Sequence, residues 1–282
     1  MTKFGAHSFL WIDEWNTEKG NYAIASTGRL GFDLIEMPLL KPAEFDAASH
    51  KKALADAGIE GVCSLALPAE VHLPFYPQKA LQFLLSALEK VEAVGSRFLG
   101  GCIAYSLGAF TNKPPQDSEI QAVIDIIGQV AQDAKKRGIT LGFEAVNRYE
   151  SYMYNTLAQV QSTLKAIGAD NIVIHPDVYH MNIEEEGFYQ PLVDCADMLG
   201  YIHLSESHRG LVGSGTVNWD EVFRGLKDAN FKGPLTLESF TAINPDLMAA
   251  TKLWRPPNQG SEVLAGEGLK FMRAKAEQWG LI

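Results

Sequence analysis

Eight short runs rich in β-branched and other apolar residues recur along this chain about every thirty residues, the length of one βαβ unit. They lie at 4–9, 32–37, 61–67, 97–103, 139–144, 172–175, 201–204 and 234–238. Amphipathic stretches fill the gaps. Over 79–94, Leu81, Leu84, Leu85, Leu88 and Val91 fall at the spacing of a half-buried helix, and over 120–136 Ile120, Val123, Ile124, Ile127 and Val130 do the same. Helix starts are marked as well: Thr156 with Gln159, and Asn218 with Glu221, have the spacing of capping pairs. Regular alternation of strand and helix predicts a mostly parallel sheet, and eight units predict closure into a barrel rather than an open doubly wound sheet. The expected fold is α/β, a single (β/α)8 TIM barrel formed as one domain over 1–282, because no Gly-rich or Ser-rich linker interrupts the rhythm.

Composition narrows the partners. With 34 acidic against 24 basic residues the net charge is −10 and there is no basic patch. Phosphate backbones and anionic membrane surfaces are repelled, so neither nucleic acid nor membrane is expected as a partner. The opening "MTKFGAHSFLWIDEW" lacks the apolar core of a secretory signal, and no apolar run reaches membrane-spanning length. Cys63, Cys102 and Cys195 are odd in number and far apart, which suits neither a disulfide framework nor a Cys-based zinc site. The expected compartment is the reducing cytoplasm.

In barrels of this kind the chemistry lies at the carboxyl ends of the strands. Run five ends "GFEAVNRYE" with Glu144, and run six reaches Asp177 through Pro176 in "HPDVYHMN". Run seven, "YIHLSES", carries His203, and run eight, "PLTLES", carries Glu238. Three carboxylates about 4 Å apart repel by roughly 4 kcal/mol per pair at an effective dielectric near 20, so a positive charge belongs among them. Arg148 or Arg209 could supply it in a structural ion-pair cluster. One imidazole among three oxygens instead favours a divalent ion of the Mn²⁺ or Mg²⁺ type, with Co²⁺ tolerated. Such an ion keeps coordination positions for a bidentate oxygen substrate.

The segments "EAVNRYE", "DVYHMNIEEEGF", "YIHLSESHRG" and "LTLESF" resemble the signatures of the ketose 3-epimerases, the xylose-isomerase-like TIM barrels that include D-tagatose, D-allulose (psicose) and L-ribulose 3-epimerases. The motifs cover the second half densely and the first half only through the barrel rhythm and "GAHSFLW". The resemblance implies that Glu144, Asp177, His203 and Glu238 ligate one divalent ion, Mn²⁺ first, with Co²⁺ or Mg²⁺ as alternatives. It also implies that Glu144 and Glu238 exchange protons with C3 of a free ketose through an enediolate, and that Glu150, His180 and Arg209 hold the sugar's hydroxyls. A homodimer or homotetramer is implied too.

Val178 and Pro176 depart from the family's usual Thr and aliphatic residue, which puts the aim of Asp177 in question. An aldose–ketose or hydroxypyruvate isomerase on the same barrel would share these motifs and move the abstracted proton by one carbon. A non-catalytic sugar-binding module would not need Glu144 and Glu238 to be carboxylates, and a metal-dependent endonuclease would want several His ligands and a basic face.

Elsewhere, His7 beside Phe9 and Trp11 reads as structural, and Glu36 is equally compatible with burial beside the site and with loop exposure. "LVGSG", 211–215, reads as a turn. His175 reads as packing and His208 as rim. The acidic run "IEEEGF", 183–188, reads as a solvated helix start with Met181 and Asn182 opening that segment. Near Trp254 a helix is expected to break before Pro256.

Overall fold

In the computed structural model, which describes residues 2–241 and 244–282, every predicted apolar run overlaps a strand. These are β1 Phe4–His7, β2 Leu34–Pro38, β3 Glu60–Ala66, β4 Phe98–Cys102, β5 Thr140–Glu144, β6 Ile172–His175, β7 Ile202–Leu204 and β8 Leu235–Leu237. Parallel pairing runs in the order β6-β5-β4-β3-β2-β1-β8-β7. Two parallel bridges, Ile174 with Leu199 and Asp177 with His203, join the outer strands of that order. The result is a (β/α)8 TIM barrel, and its last seam is fastened where two candidate site residues lie side by side.

The helices are α1 Thr17–Leu30, α2 Ala47–Ala57, α3 Pro77–Val94, α4 Asp117–Lys136, α5 Leu157–Ile167, α6 Val178–Glu184, α7 Tyr189–Asp194, α8 Trp219–Asp228, α9 Pro245–Thr251 and α10 Ser261–Trp279. Strands covered on both faces read as apolar throughout, and all residues of β1 and β2 are buried. Leu84, Leu88 and Val91 of α3, and Val123, Ile127 and Val130 of α4, are fully buried against this sheet. Removing their apolar surface from water stabilises the shell by roughly 1.5–3 kcal/mol per side chain. The capping pairs form as expected: Thr156 and Gln159 make a reciprocal box, and the Asn218 side chain accepts from the Glu221 N–H at 3.4 Å. Gly101 in β4 has φ +91, and a Cβ there would run into the backbone of Leu65, so only glycine lets β3 and β4 approach so closely.

Two local expectations are corrected, and the helix break expected before Pro256 is found. Residues 181 and 182 do not open a helix, because Asp177 caps α6 by accepting from the Tyr179 N–H at 2.8 Å, and the helix therefore starts at Val178. "IEEEGF" accordingly falls at the end of α6. Its acids are not merely solvated: Glu184 pairs with Arg148 at 2.8 Å, and Glu185 accepts from the Leu157 N–H at 2.8 Å. Near the C-terminus α9 ends at Thr251, ahead of Pro256, where Lys252 takes a left-handed φ of 56°. Among the described residues no helix is long and apolar enough to cross a membrane.

Candidate active site

A cavity of about 730 Å³ opens at the carboxyl ends of the strands, with Glu36, Glu144, His180, His203, Arg209 and Glu238 in its wall. Glu144 is the last residue of β5, His203 the middle of β7, and Glu238 the first residue past β8. Asp177 follows Pro176, where β6 gives way to α6. All four are buried. The aim of Asp177 does not depend on a Thr at 178. Its Oδ1 is spent on the cap of α6, and the Pro176 carbonyl beside it accepts from the His203 N–H at 2.9 Å. That leaves Oδ2 turned into the mouth.

His203 lies at the centre of the group. Its Nδ1 is 3.6 Å from Glu144 Oε1 and 3.6 Å from Glu238 Oε1. The opposite nitrogen, Nε2, meets Glu36 Oε2 at 2.7 Å, while Nδ1 itself has no hydrogen-bond partner among the described residues. Asp177, His203 and Glu238 each offer a ligand atom within 4.8 Å of the others, as do Glu144, Asp177 and His180. With the proton of the imidazole on Nε2, the lone pair of Nδ1 confronts carboxylate oxygens. Acceptor facing acceptor in a buried place is relieved by a proton or a cation. Three carboxylates and one imidazole arranged this way fit a divalent ion with oxygen preference.

Electrostatics agree with that crowding. Burial, reinforced by the charge of Glu238 and opposed by Arg209, pushes Asp177 up to about 7. Burial raises Glu144 as well and lifts Glu150 to about 8. Burial also works against a charged His203, but Glu36 and Glu238 overcome it and raise its pKa well above the usual value.

Of the two arginines the sequence offered as counter-charges, one enters the site. Arg209 Nη1 lies 2.9 Å from Asp177 Oδ2 and also bonds Glu238, with its guanidinium over the rings of Tyr179 at 4.0 Å and Phe240 at 5.1 Å. Arg148 stays at the surface with Glu184. Arg209 is reached through an unusual backbone, φ 59° at a non-glycine residue, fixed by its N–H to the Glu206 carbonyl at 2.8 Å and its own carbonyl to the Phe240 N–H at 3.3 Å. His180, on α6, accepts at Nδ1 from the Asn147 N–H at 3.1 Å, so its Nε2 carries the proton. That nitrogen is 3.2 Å from Arg209 Nη2 and 3.4 Å from Asp177 Oδ2. The Asn147 side chain then donates to Glu150 at 2.8 Å. All seven residues singled out in the sequence thus gather at one mouth.

The family model described as a xylose isomerase-like TIM barrel matches residues 24–275. The chain is 33% identical over 279 residues to an L-ribulose 3-epimerase of Methylomonas sp. (strain DH-1), with 97% of each chain covered. It is also 33% identical over 279 residues to a ketose 3-epimerase of Arthrobacter globiformis, covering 97% of this chain and 96% of that one. This chain belongs to the ketose 3-epimerase family. A solved structure of a D-allulose 3-epimerase from Methylomonas sp. in complex with D-allulose is similar to it with a TM-score of 0.93, 32% identity and 97% of each chain covered.

Several residues of this family member take part in the site without having been assigned from sequence. Asn147 ties His180 to Glu150, and its only signal was its place inside "EAVNRYE". Glu36, which the sequence left undecided, is buried and faces His203. Glu206 is fully buried and accepts from the N–H groups of Ser207, Gly213 and Val217 at 2.9, 2.8 and 3.2 Å and from Trp219 Nε1 at 3.0 Å. It therefore shapes the "LVGSG" turn and the loop that presents Arg209. His7 accepts at Nδ1 from the Phe9 N–H at 3.2 Å and points Nε2 at Glu36 Oε1, 3.6 Å away, so it is both structural and part of the cavity wall. His175 packs edge-on against His203, ring centres 4.2 Å apart, and His208 is exposed at the rim.

Proposed function

We propose that this protein interconverts free ketoses that differ at C3, using one divalent ion, Mn²⁺ in first place, held by Glu144, Asp177, His203 and Glu238. The observation that carries the reading is the unpartnered Nδ1 of His203 set between the Glu144 and Glu238 carboxylates at 3.6 Å from each, in a chain whose relatives bear the names of ketose 3-epimerases. When bound, the ion supplies Lewis acidity toward the C2 carbonyl and the oxygen on C3.

The remaining work falls to the chain itself. Inversion at C3 needs a proton taken from one face and another returned to the opposite face, by way of an enediolate. Glu144 on β5 and Glu238 beyond β8 approach His203 Nδ1 from different strands, each at 3.6 Å, which supports a pair of carboxylates working on the two faces of C3. Each serves as base in one direction and acid in the other, so the reaction runs both ways. His180 and Arg209 orient the sugar: their Nε2 and Nη2 are both donors, 3.2 Å apart, and one sugar oxygen can accept from both. Glu150, raised to about 8, is able to carry a proton at neutral pH and to donate as well as accept toward a hydroxyl.

The test is to strip the protein with EDTA, restore Mn²⁺, and follow D-fructose, D-tagatose, D-allulose and L-ribulose by NMR in deuterated water. Wash-in of deuterium at C3 with inversion is expected. Exchange at C1 would make the protein an aldose–ketose isomerase, and full activity without any ion would overturn the reading. The reading further includes a cytoplasmic location, in keeping with three free thiols at Cys63, Cys102 and Cys195. It also includes a homodimer or homotetramer, which light scattering on the eluting protein would measure.

A further inference from the structure

Glu36 is a carboxylate in the middle of β2, 1% exposed. Its two hydrogen bonds, from Tyr201 and His203, both reach Oε2, while Oε1 makes none and faces His7, and the direction in which each neighbour points can be worked out. The Thr236 hydroxyl donates to the Tyr201 oxygen at 2.8 Å, so the Tyr201 proton is free to go to Glu36 Oε2, 2.7 Å away. His7 takes the Phe9 N–H on Nδ1 and therefore turns a protonated Nε2 toward Glu36 Oε1 at 3.6 Å. With Tyr201 committed as a donor, Glu36 acts only as an acceptor, and the nitrogen of His203 that faces it at 2.7 Å must carry a proton. A buried carboxylate is costly to keep unless donors such as these meet its charge.

We propose that Glu36 is a positioning residue: it holds the proton of His203 on Nε2 and so presents Nδ1, as a lone pair, to the ion among Glu144, Asp177 and Glu238. The inference rests on the metal-binding reading above. Glu36 reaches neither the sugar nor the ion in this role. It acts through His203, by fixing the ring's tautomer and tilt and by making Nδ1 a stronger donor, and Tyr201 and Thr236 from the β7 and β8 side keep the carboxylate itself from turning. Partners of this kind behind a metal-bound histidine are worth about 10- to 100-fold in metal affinity.

Calorimetric titration of the EDTA-stripped full chain with Mn²⁺ tests this, using the unaltered protein, Asp177→Asn and Glu36→Gln. The expected result is a single site in the unaltered protein, severe loss in Asp177→Asn, and affinity about 10- to 100-fold weaker in Glu36→Gln. If the unaltered protein takes up no Mn²⁺, or Asp177→Asn binds it equally well, the metal-binding reading fails. If those two behave as expected and Glu36→Gln binds like the unaltered protein, the role of Glu36 fails alone. A measurement on the unaltered protein keeps the proposal open to refutation even if Glu36→Gln does not fold. With Cd²⁺ bound as a diamagnetic probe close to Mn²⁺ in size, long-range ¹⁵N–¹H spectra should place the His203 proton on Nε2 and the ion on Nδ1. The reverse tautomer overturns the inference.

Discussion

The two halves of the barrel mouth differ in kind. Strands β5 to β8 deliver Glu144, Asp177, His203 and Glu238, and the segments that follow β5, β6 and β7 add Glu150, His180 and Arg209. Strands β1 to β4 deliver mostly walls: Phe9, Pro38, Leu65 and Cys102 line the cavity, and the buried polar residues His7 and Glu36 face His203 from behind. The late half is therefore organised around charge and the early half around shape and support. A barrel allows this division because every strand sends its carboxyl end to the same rim, whichever function its neighbour performs.

The sharpest way to break the comparison is to remove charge from the late half. Glu144→Gln and Glu238→Gln keep the side-chain shape and should each lower turnover by about 10²- to 10⁴-fold. Deuterium exchange at C3 that continues undiminished in either variant would mean the two carboxylates are not the acid and base. In the early half, Leu99→Ala on β4 removes a fully buried side chain and should cost about 2–5 kcal/mol of stability. Its specific activity at 25 °C should stay near that of the unaltered protein. A large loss of activity without loss of stability, read from urea melts and kinetics side by side, would show that the early wall takes part in the chemistry.

Glu206 sharpens the contrast inside the late half, since it supports rather than reacts. Burial opposes its charge, but the donors from Ser207, Trp219, Val217 and Gly213 outweigh that and hold its pKa below the usual carboxylate value. A depressed folded pKa means its contribution is present above the unfolded value of about 4.3 and is lost as pH falls through the folded one. Glu206→Gln should destabilise by about 1–3 kcal/mol at pH 7 and flatten this acid limb, which thermal melts between pH 7 and 3 would reveal. An unchanged acid limb would remove Glu206 from the support of the loop. The smallest effect is expected at His180. Replaced by Asn, it should raise KM for the ketose by about tenfold with Mn²⁺ binding retained. Loss of the ion there would make His180 a ligand and redraw the boundary between binding sugar and binding metal.

Much of this organisation could be read from the residues in order. The eight apolar runs became eight strands, and the reciprocal cap at Thr156 and Gln159 formed as spacing predicted. The polar residue closing each late run was also visible, because apolar strands that end in Glu, Asp or His stand out against their own pattern. The start of α6 was misplaced, since a cap formed by a side chain that also serves the mouth looks like part of a ligand motif alone. Arg148 and Arg209 looked alike as counter-charges. What separated them was a left-handed backbone at Arg209, held by the loop around Glu206, that turns one guanidinium inward.

Local order in the chain determined the alternation of strand and helix, the closed parallel barrel it implies, and the strand ends that carry the acids and the imidazole. Periodicity encodes these because it records, residue by residue, which side faces water. Only the tertiary structure decided that Glu36 backs His203, that Tyr201 and Thr236 steady Glu36, and that Asn147 couples His180 to Glu150. Those contacts join separate strands and loops, Glu36 to His203 across 167 residues of sequence. The period of a strand says which face a side chain takes, but the curvature and closure of the barrel choose what it meets there.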